Sequence, residues 1–504
     1  GRLKENEQLL WNVSDVGLNV AVNIIYDDGT EEFFIVEPDA ALRKFDTESW
    51  EPGHALVRSV SGLKAGDRFN GPDGRQGEVR QIRHKYVARL HYALENYEKR
   101  FPEISGFKRV NLDVERPDGL DELIAQVKAR RDWIEEEQSQ YLNGPMPLGV
   151  LAHRLGMDTI EVALGLAGQG CKVKVAIGND NERKAARRAI RENVGRGSVL
   201  DLLGYWTAWR IGALDAVRAT CGPIQLPQSV LDQLRRRRER FEFSAHDGHK
   251  SAGYEDGKLV LHEVSAETVR NLRDDIDRAI VWAETNATVL PVVASDDLPD
   301  ELRRYLRVGQ SDIFDSLILA RQSGGLLVTD DQSTREVDRL LGGNGGAWLH
   351  EVFATAVDGG FIGFDEYVRW SAYLVEAGQN YLGVSGAVLA QAARLDAAEG
   401  NSPGYFFKTL SKMIGGREAE RASHAQAVAG CLYDLWNDHR TIPYRQPVTG
   451  HLLSQLIRER QADYQIILRT VIAWSRGAFG VADYVQEWSR GHFLFLDVAP
   501  NEPK

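Results

Sequence analysis

The sequence is poor in cysteine, has no long apolar run and carries no overall excess of positive charge. Cys171, Cys221 and Cys431 are its only cysteines, and no two of them form a CxxC pair. That argues against a disulfide framework and against a thiolate zinc site, and it fits a reducing, cytoplasmic setting. No apolar stretch reaches the roughly 18 residues that a membrane-spanning helix needs, so no membrane contact is expected. No basic segment followed by an apolar one opens the chain, so no secretory signal is read. The first residue is Gly1 rather than methionine, which leaves room for residues before it. With 43% hydrophobic and 27% charged residues, what is present is ordinary globular composition. A length of 504 residues exceeds what one hydrophobic core accommodates, so several domains are expected.

Net charge is −12, which is not the balance of a protein that binds nucleic acid over its whole surface. The charge is uneven, however. Arg235, Arg236, Arg237 and Arg238 follow one another, with Arg240 just beyond. The local field of such a stripe suits phosphates even on an acidic protein. The competing reading is a solvated helix face.

Four regions emerge along the chain. Residues 1–115 are β-rich: Leu18 to Tyr26 has strand character, Asp27-Asp28-Gly29 is a turn signal, and Glu31 to Val36 is the return strand. Gly71-Pro72-Asp73-Gly74 precedes a further strand at Gly77 to Ile82. Residues 116–195 are helical. Within them Pro147 to Ala167 has the spacing of a helix-turn-helix, with Ala152 and Gly156 at its tight positions. Lys172 to Ile177 has strand character, and Asn181 to Asn193 is a basic helix. Residues 196–355 alternate strand and helix. Residues 356–504 are helical and rich in alanine, leucine and aromatics, with Trp370, Tyr373, Trp436, Trp474 and Trp488 expected in a core. The fold class expected is therefore multidomain α/β.

The stretch 196–355 holds the acidic residues of interest. Ser198-Val199-Leu200 is strand-like and runs into Asp201, and an apolar helix is expected from Leu202 to Val217. Pro227 ends a short extended piece, after which Ser229 is placed to cap a helix carrying Asp232. Phe314-Asp315 opens an apolar helix, and Gly325 to Val328 is a buried-type strand followed by Thr329, Asp330 and Asp331. The alternation predicts a parallel sheet with helices on both faces, and in such sheets sites form at the carboxyl ends of strands. Carboxylates converging there raise one another's pKa unless a cation joins them. Ligands that are all oxygen select a hard ion, Mg²⁺ or Mn²⁺, suited to phosphodiester chemistry. The HDGH loop between Phe243 and Tyr254, with His246 and His249, is read as a polar loop.

This order of motifs resembles the PIN-domain nucleases. That family has a strand-end aspartate, a "P-x-x-V-x-x-E-L" helix, a "D-[AS]-x-[LI]-x-A" helix and a "[LI]-[LV]-T-x-D" strand. Asp201, Pro227 to Leu234, Asp315 to Ala320 and Leu327 to Asp331 take these places. One departure is plain: Gln233 stands where the family has glutamate, with Asp232 beside it as the substitute acid. The resemblance implies a metal-dependent endoribonuclease that prefers RNA to DNA. Asp201, Asp232, Asp315 and Asp331 would be its catalytic acids, Asp330 an additional metal ligand, and Thr329 the hydroxyl that orients an aspartate. Arg235 to Arg238 would then touch the nucleic-acid backbone. The N-terminal region resembles the C-terminal, FKBP-like domain of the Gre-type transcript cleavage factors. The likeness rests on the Asp-Asp-Gly hairpin and on His54 to Asp67, a short helix with a glycine step and a Gly-Asp turn. It implies docking of residues 1–115 on RNA polymerase or another protein. The acidic-tipped hairpin of those factors is absent, so cleavage by their mechanism is not implied. A non-catalytic scaffold is the second reading, favoured by Gln233.

Overall fold

The computed structural model describes residues 13–45, 47–100, 120–245, 248–255, 257–293, 311–417 and 420–496. His246 falls outside them. The chain divides into two compact units, residues 1–125 and 126–504.

The first unit is a five-stranded sheet of order β3-β2-β1-β5-β4. Its strands are β1 (Val20–Tyr26), β2 (Glu31–Val36), β3 (Ser49–Trp50), β4 (Arg68–Asn70) and β5 (Gln76–His84). Neighbours are antiparallel except β2 and β3. The hairpin turn forms where expected: the Asp28 carboxylate accepts the Thr30 amide at 2.9 Å, and Gly29 takes φ 85°. Helix α1 (Ala55–Val60) buries Leu56, Val57 and Val60 against Val22, Ile24, Phe34 and Val79. Helix α2 (Lys85–Arg100) follows β5, and its first residue makes a buried ion pair with Glu37 at 2.6 Å.

The second unit is built around a parallel sheet of order β10-β7-β6-β11. These strands are β6 (Ser198–Leu200), β7 (Ile224–Pro227), β10 (Thr288–Leu290) and β11 (Leu326–Val328), while β8 (His249–Glu255) and β9 (Lys258–Val264) form a separate hairpin. Period-two alternation sends side chains to both faces. Val199 and Leu327 pack with Phe314, Leu317 and Ile318 of the segment that includes α11 (Asp315–Ser323). Leu200, Leu326 and Val328 enter a core that runs without a break from Tyr141 to Trp488. Both faces are thus covered, which is why these short strands are almost wholly apolar.

Helices α3 (Asp121–Asn143), α4 (Leu148–Leu155), α5 (Thr159–Gly168) and α6 (Asp180–Glu192) precede the sheet. α7 (Leu202–Arg210), α8 (Leu214–Cys221), α9 (Gln228–Ser244), α10 (Ala266–Asn286), α12 (Gln332–Leu340) and α13 (Leu349–Asp358) are interleaved with its strands or follow them. The helices from Phe364 to Gly491 share the main core.

Several local expectations are corrected. Leu202 to Val217 is two helices, because the chain turns at Gly212 with φ 72°. Lys172 to Ile177 is not a strand and makes a single bridge, from Val173 to Gln379. Its amides are taken by side chains instead: Lys174 by the Tyr141 hydroxyl, Val175 and Ala176 by Asn380, and Ile177 by Glu182. Ser229 does not cap α9, where Pro227 holds the N-cap. Tyr373 and Trp474 face outward rather than into the core.

Candidate active site

Asp201 immediately follows β6 and caps α7, its Oδ1 accepting the Gly204 amide at 2.7 Å. Its Oδ2 accepts the Thr329 hydroxyl at 2.5 Å. Thr329 follows β11, the neighbouring strand, and its Oγ1 also accepts the Asp331 amide at 3.1 Å. Two adjacent strand ends are thereby joined through one hydroxyl. Thr329 itself is fixed from behind by the buried Arg335, which donates to its carbonyl at 2.9 Å. Arg335 also pairs with Glu182 of α6 at 3.1 Å and lies over the Trp348 ring.

The pocket at this edge is lined by Asp201, Asp331, Asp312, Ser229, Gln233, Ser316 and Thr334. Burial is the largest influence on Asp201 and pushes its carboxyl up to about 7. Hydrogen bonds from Thr329 and Gly204 oppose that rise, and the charges of Asp330 and Asp331 add to it. Asp201 has no ion pair among the described residues.

The other acids divide sharply. Asp331 reaches the pocket, yet both its oxygens are engaged. Oδ1 accepts the Ser333 amide at 3.0 Å, and Oδ2 accepts the Thr334 hydroxyl and the Leu148 amide, each at 2.8 Å. Burial raises its pKa, and these bonds together with Arg335 hold the rise back. Asp330 turns away from the pocket. Its oxygens accept the Leu349 amide at 2.9 Å and Gln379 Nε2 at 2.7 Å, so it fastens the start of α13. Asp315 stands on the first turn of α11, raised by burial against the opposing Ser229 hydroxyl, with Asp312 adding to the rise. Asp232 lies outside the pocket, half exposed, where it accepts Gln228 at 2.9 Å and Arg235 at 3.3 Å. The strict-spacing residue Gln233 faces in instead, as one helical step of about 100° requires.

Every arginine of the run has an acidic partner. Arg235 pairs with Glu284 at 2.7 Å, Arg236 with Asp312 at 3.2 Å and Arg238 with Asp277 at 3.4 Å. Arg237 grips both oxygens of Asp158, at 2.9 and 2.7 Å, and Arg240 holds the same carboxylate.

Sequence reasoning missed Asp158, Asp312 and the approach of α4 and α5 to this edge. Asp158 carries a signal: it precedes a helix with Glu161 three residues on, the pattern of an N-cap, and it does accept the Glu161 amide at 2.8 Å. Asp312 sits one turn ahead of Asp315.

Residues 199–340 match the family model of the PIN domain associated with the TPR-GreAB-C-PIN system. This segment is a PIN domain. The match runs from β6 through α12 and includes Asp201, Gln233, Asp315, Thr329 and Asp331. No curated protein and no solved structure matches the chain.

Among the described residues no three carboxylate, imidazole or thiolate side chains come together as a ligand set for a metal ion. The donors facing the pocket are oxygens: the carboxylates, the Gln233 amide, and the Ser229 hydroxyl, which is buried without a hydrogen-bond partner. This set fits Mg²⁺ or Mn²⁺, because Mg²⁺ commonly rests on one or two carboxylates and keeps several waters. No helix among the described residues is long and apolar enough to cross a membrane.

Proposed function

We propose that the PIN domain is a Mg²⁺- or Mn²⁺-dependent phosphodiesterase acting on single-stranded RNA. The observation that carries this reading is Asp201: a carboxylate at the end of β6, flanked by other carboxylates, without a cationic side chain among the described residues to neutralise it. Such a group needs a proton or a cation. PIN domains are in general nucleases and usually use divalent metals. The preference for RNA over DNA comes from the family and not from any residue of the site.

A divalent cation bound there would polarise the phosphodiester and lower the pKa of an attacking water. The chain's own part is positional. Thr329 fixes Asp201 in one orientation, Arg335 fixes Thr329, and Asp315 with Ser229 closes the neighbouring wall. Gln233 contributes a neutral oxygen where a glutamate would add charge, so ion binding is expected to be weaker than with four acids.

The β-rich unit is proposed to be a Gre-like docking module for RNA polymerase or another protein. Its hairpin, the short α1 and the positive-φ glycines Gly62 and Gly66 before Asp67 support the resemblance. The description of the matched family also names a GreAB-C component beside the PIN domain. The second reading, a non-catalytic scaffold, is favoured by Gln233 and by the absence, among the described residues, of a third clustered ligand.

Cleavage of end-labelled single-stranded RNA with Mn²⁺ separates the two. The nuclease reading expects cleavage by the full chain and loss of it in both Asp201→Asn and Asp315→Asn. Cleavage at the wild-type rate by either variant would remove these residues from the mechanism.

A further inference from the structure

Helices α4 and α5 lie outside the segment that matches the PIN family, yet they wall its pocket. Leu148, Gly149, His153, Asp158 and Thr159 face the same space as Asp201 and Gln233. The cavity left between them is about 60 Å³, room for a few waters or a small hydrated ion but not for a nucleotide. The pair is bracketed by Gly144-Pro145-Met146-Pro147 on one side and by Gly168 and Gly170 on the other. Two polar fastenings hold it to the PIN domain. One is the Leu148 amide on Asp331. The other is Asp158, held by both Arg237 and Arg240, with Arg240 also reaching Glu161 at 3.1 Å.

We propose that α4 and α5 form a lid over the pocket, latched by Asp158 occupying the arginine pair that a nucleic-acid phosphate takes when the lid opens. The proposal rests on the nuclease reading only for the identity of that phosphate. A carboxylate and a phosphate bind the guanidinium fork in the same bidentate manner. Asp158 does not saturate the fork, since Arg237 Nε is buried without a partner, and a phosphate brings the further oxygen that would take it. The arginines that the sequence offers as a substrate track are then substrate ligands only after the latch is released.

The test uses the full chain with EDTA present, so that cleavage cannot interfere, and a short fluorescein-labelled single-stranded RNA read by anisotropy. A Cβ at position 149 would lie 3.8 Å from Ile313 Cβ, which suits a disulfide. The Gly149→Cys/Ile313→Cys pair should therefore lock the lid when oxidised. The oxidised form is expected to bind the RNA at least roughly tenfold more weakly than its reduced form, because apparent affinity follows the population of the open state. Asp158→Asn should bind more tightly than wild type and show a steeper salt dependence, by roughly 0.7 for each additional phosphate neutralised. Equal binding by oxidised and reduced pair, failure of the pair to cross-link, or no RNA binding by any form would overturn the proposal. A locked form that loses binding in a protein that never cleaves RNA would keep the lid and remove the nuclease reading instead.

Discussion

The Thr329 hydroxyl donates to Asp201 at 2.5 Å and accepts the Asp331 amide at 3.1 Å. One side chain thus fixes the acid at the end of β6 and the backbone at the end of β11. Thr329→Val keeps the shape and removes both bonds. We expect Mn²⁺ affinity to fall by about ten- to a hundredfold, the usual cost of losing a group that orients a ligand. Calorimetric titration of wild type and variant checks this, and unchanged affinity would detach Thr329 from the site.

Gln233 faces the pocket where the family has glutamate, whereas Asp232 points outward to Arg235. Gln233→Glu should tighten Mn²⁺ binding and raise the cleavage rate, while Asp232→Asn should change neither. If Asp232→Asn were inactive and Gln233→Glu neutral, the roles assigned to these neighbours would be reversed.

Asp201 titrates near 7 in the folded chain and near 3.8 when unfolded. A carboxyl raised in this way stabilises the fold fully below its unfolded pKa and loses that contribution as pH rises through the folded value. Asp330, Asp331 and Asp315 are raised too and act with the same sign. The metal-free protein should therefore melt at progressively lower temperature between about pH 4 and pH 7. Mn²⁺ should restore most of the loss at the upper end, since it binds only the native state. A melting temperature that rises over this range would contradict the burial argument.

The arginines are expected to differ by depth. Arg237 and Asp158 are each less than a tenth exposed, so Arg237→Ala leaves a buried charge unpaired and should cost about 3 kcal/mol. Arg235 and Arg238 pair near the surface with Glu284 and Asp277. Neutralising both should cost less than about 1 kcal/mol per pair and leave the salt dependence of RNA binding unchanged. Urea unfolding and salt titration of the two variants measure these quantities.

The sequence made the parallel sheet and its edge legible because β6 and β11 are short, wholly apolar and each followed at once by an acid or by a hydroxyl and two acids. The role of Thr329 was legible for the same reason, since its place in the strand motif aims its hydroxyl at Asp201. What stayed hidden depends on contacts distant in the chain. Asp330 and Asp331 are adjacent, and nothing local reveals that Leu349 and Gln379 draw the first away while Leu148 and Thr334 hold the second at the pocket. The arginine run likewise looks free until its partners arrive from α10, from Asp312 and from Asp158. Lys172 to Ile177 has strand composition, but side chains of Tyr141, Asn380 and Glu182 satisfy its amides, and no neighbouring strand is needed.

The central claim is that the edge around Asp201 holds a divalent cation. Anomalous diffraction from crystals soaked in Mn²⁺ tests it most directly. The account predicts one Mn²⁺ peak in the pocket, bound to a carboxylate oxygen of Asp201 at roughly 2.1 Å with oxygen ligands completing the shell, and no such peak in Asp201→Asn. A pocket empty at saturating Mn²⁺, or a peak that persists in Asp201→Asn, would contradict it.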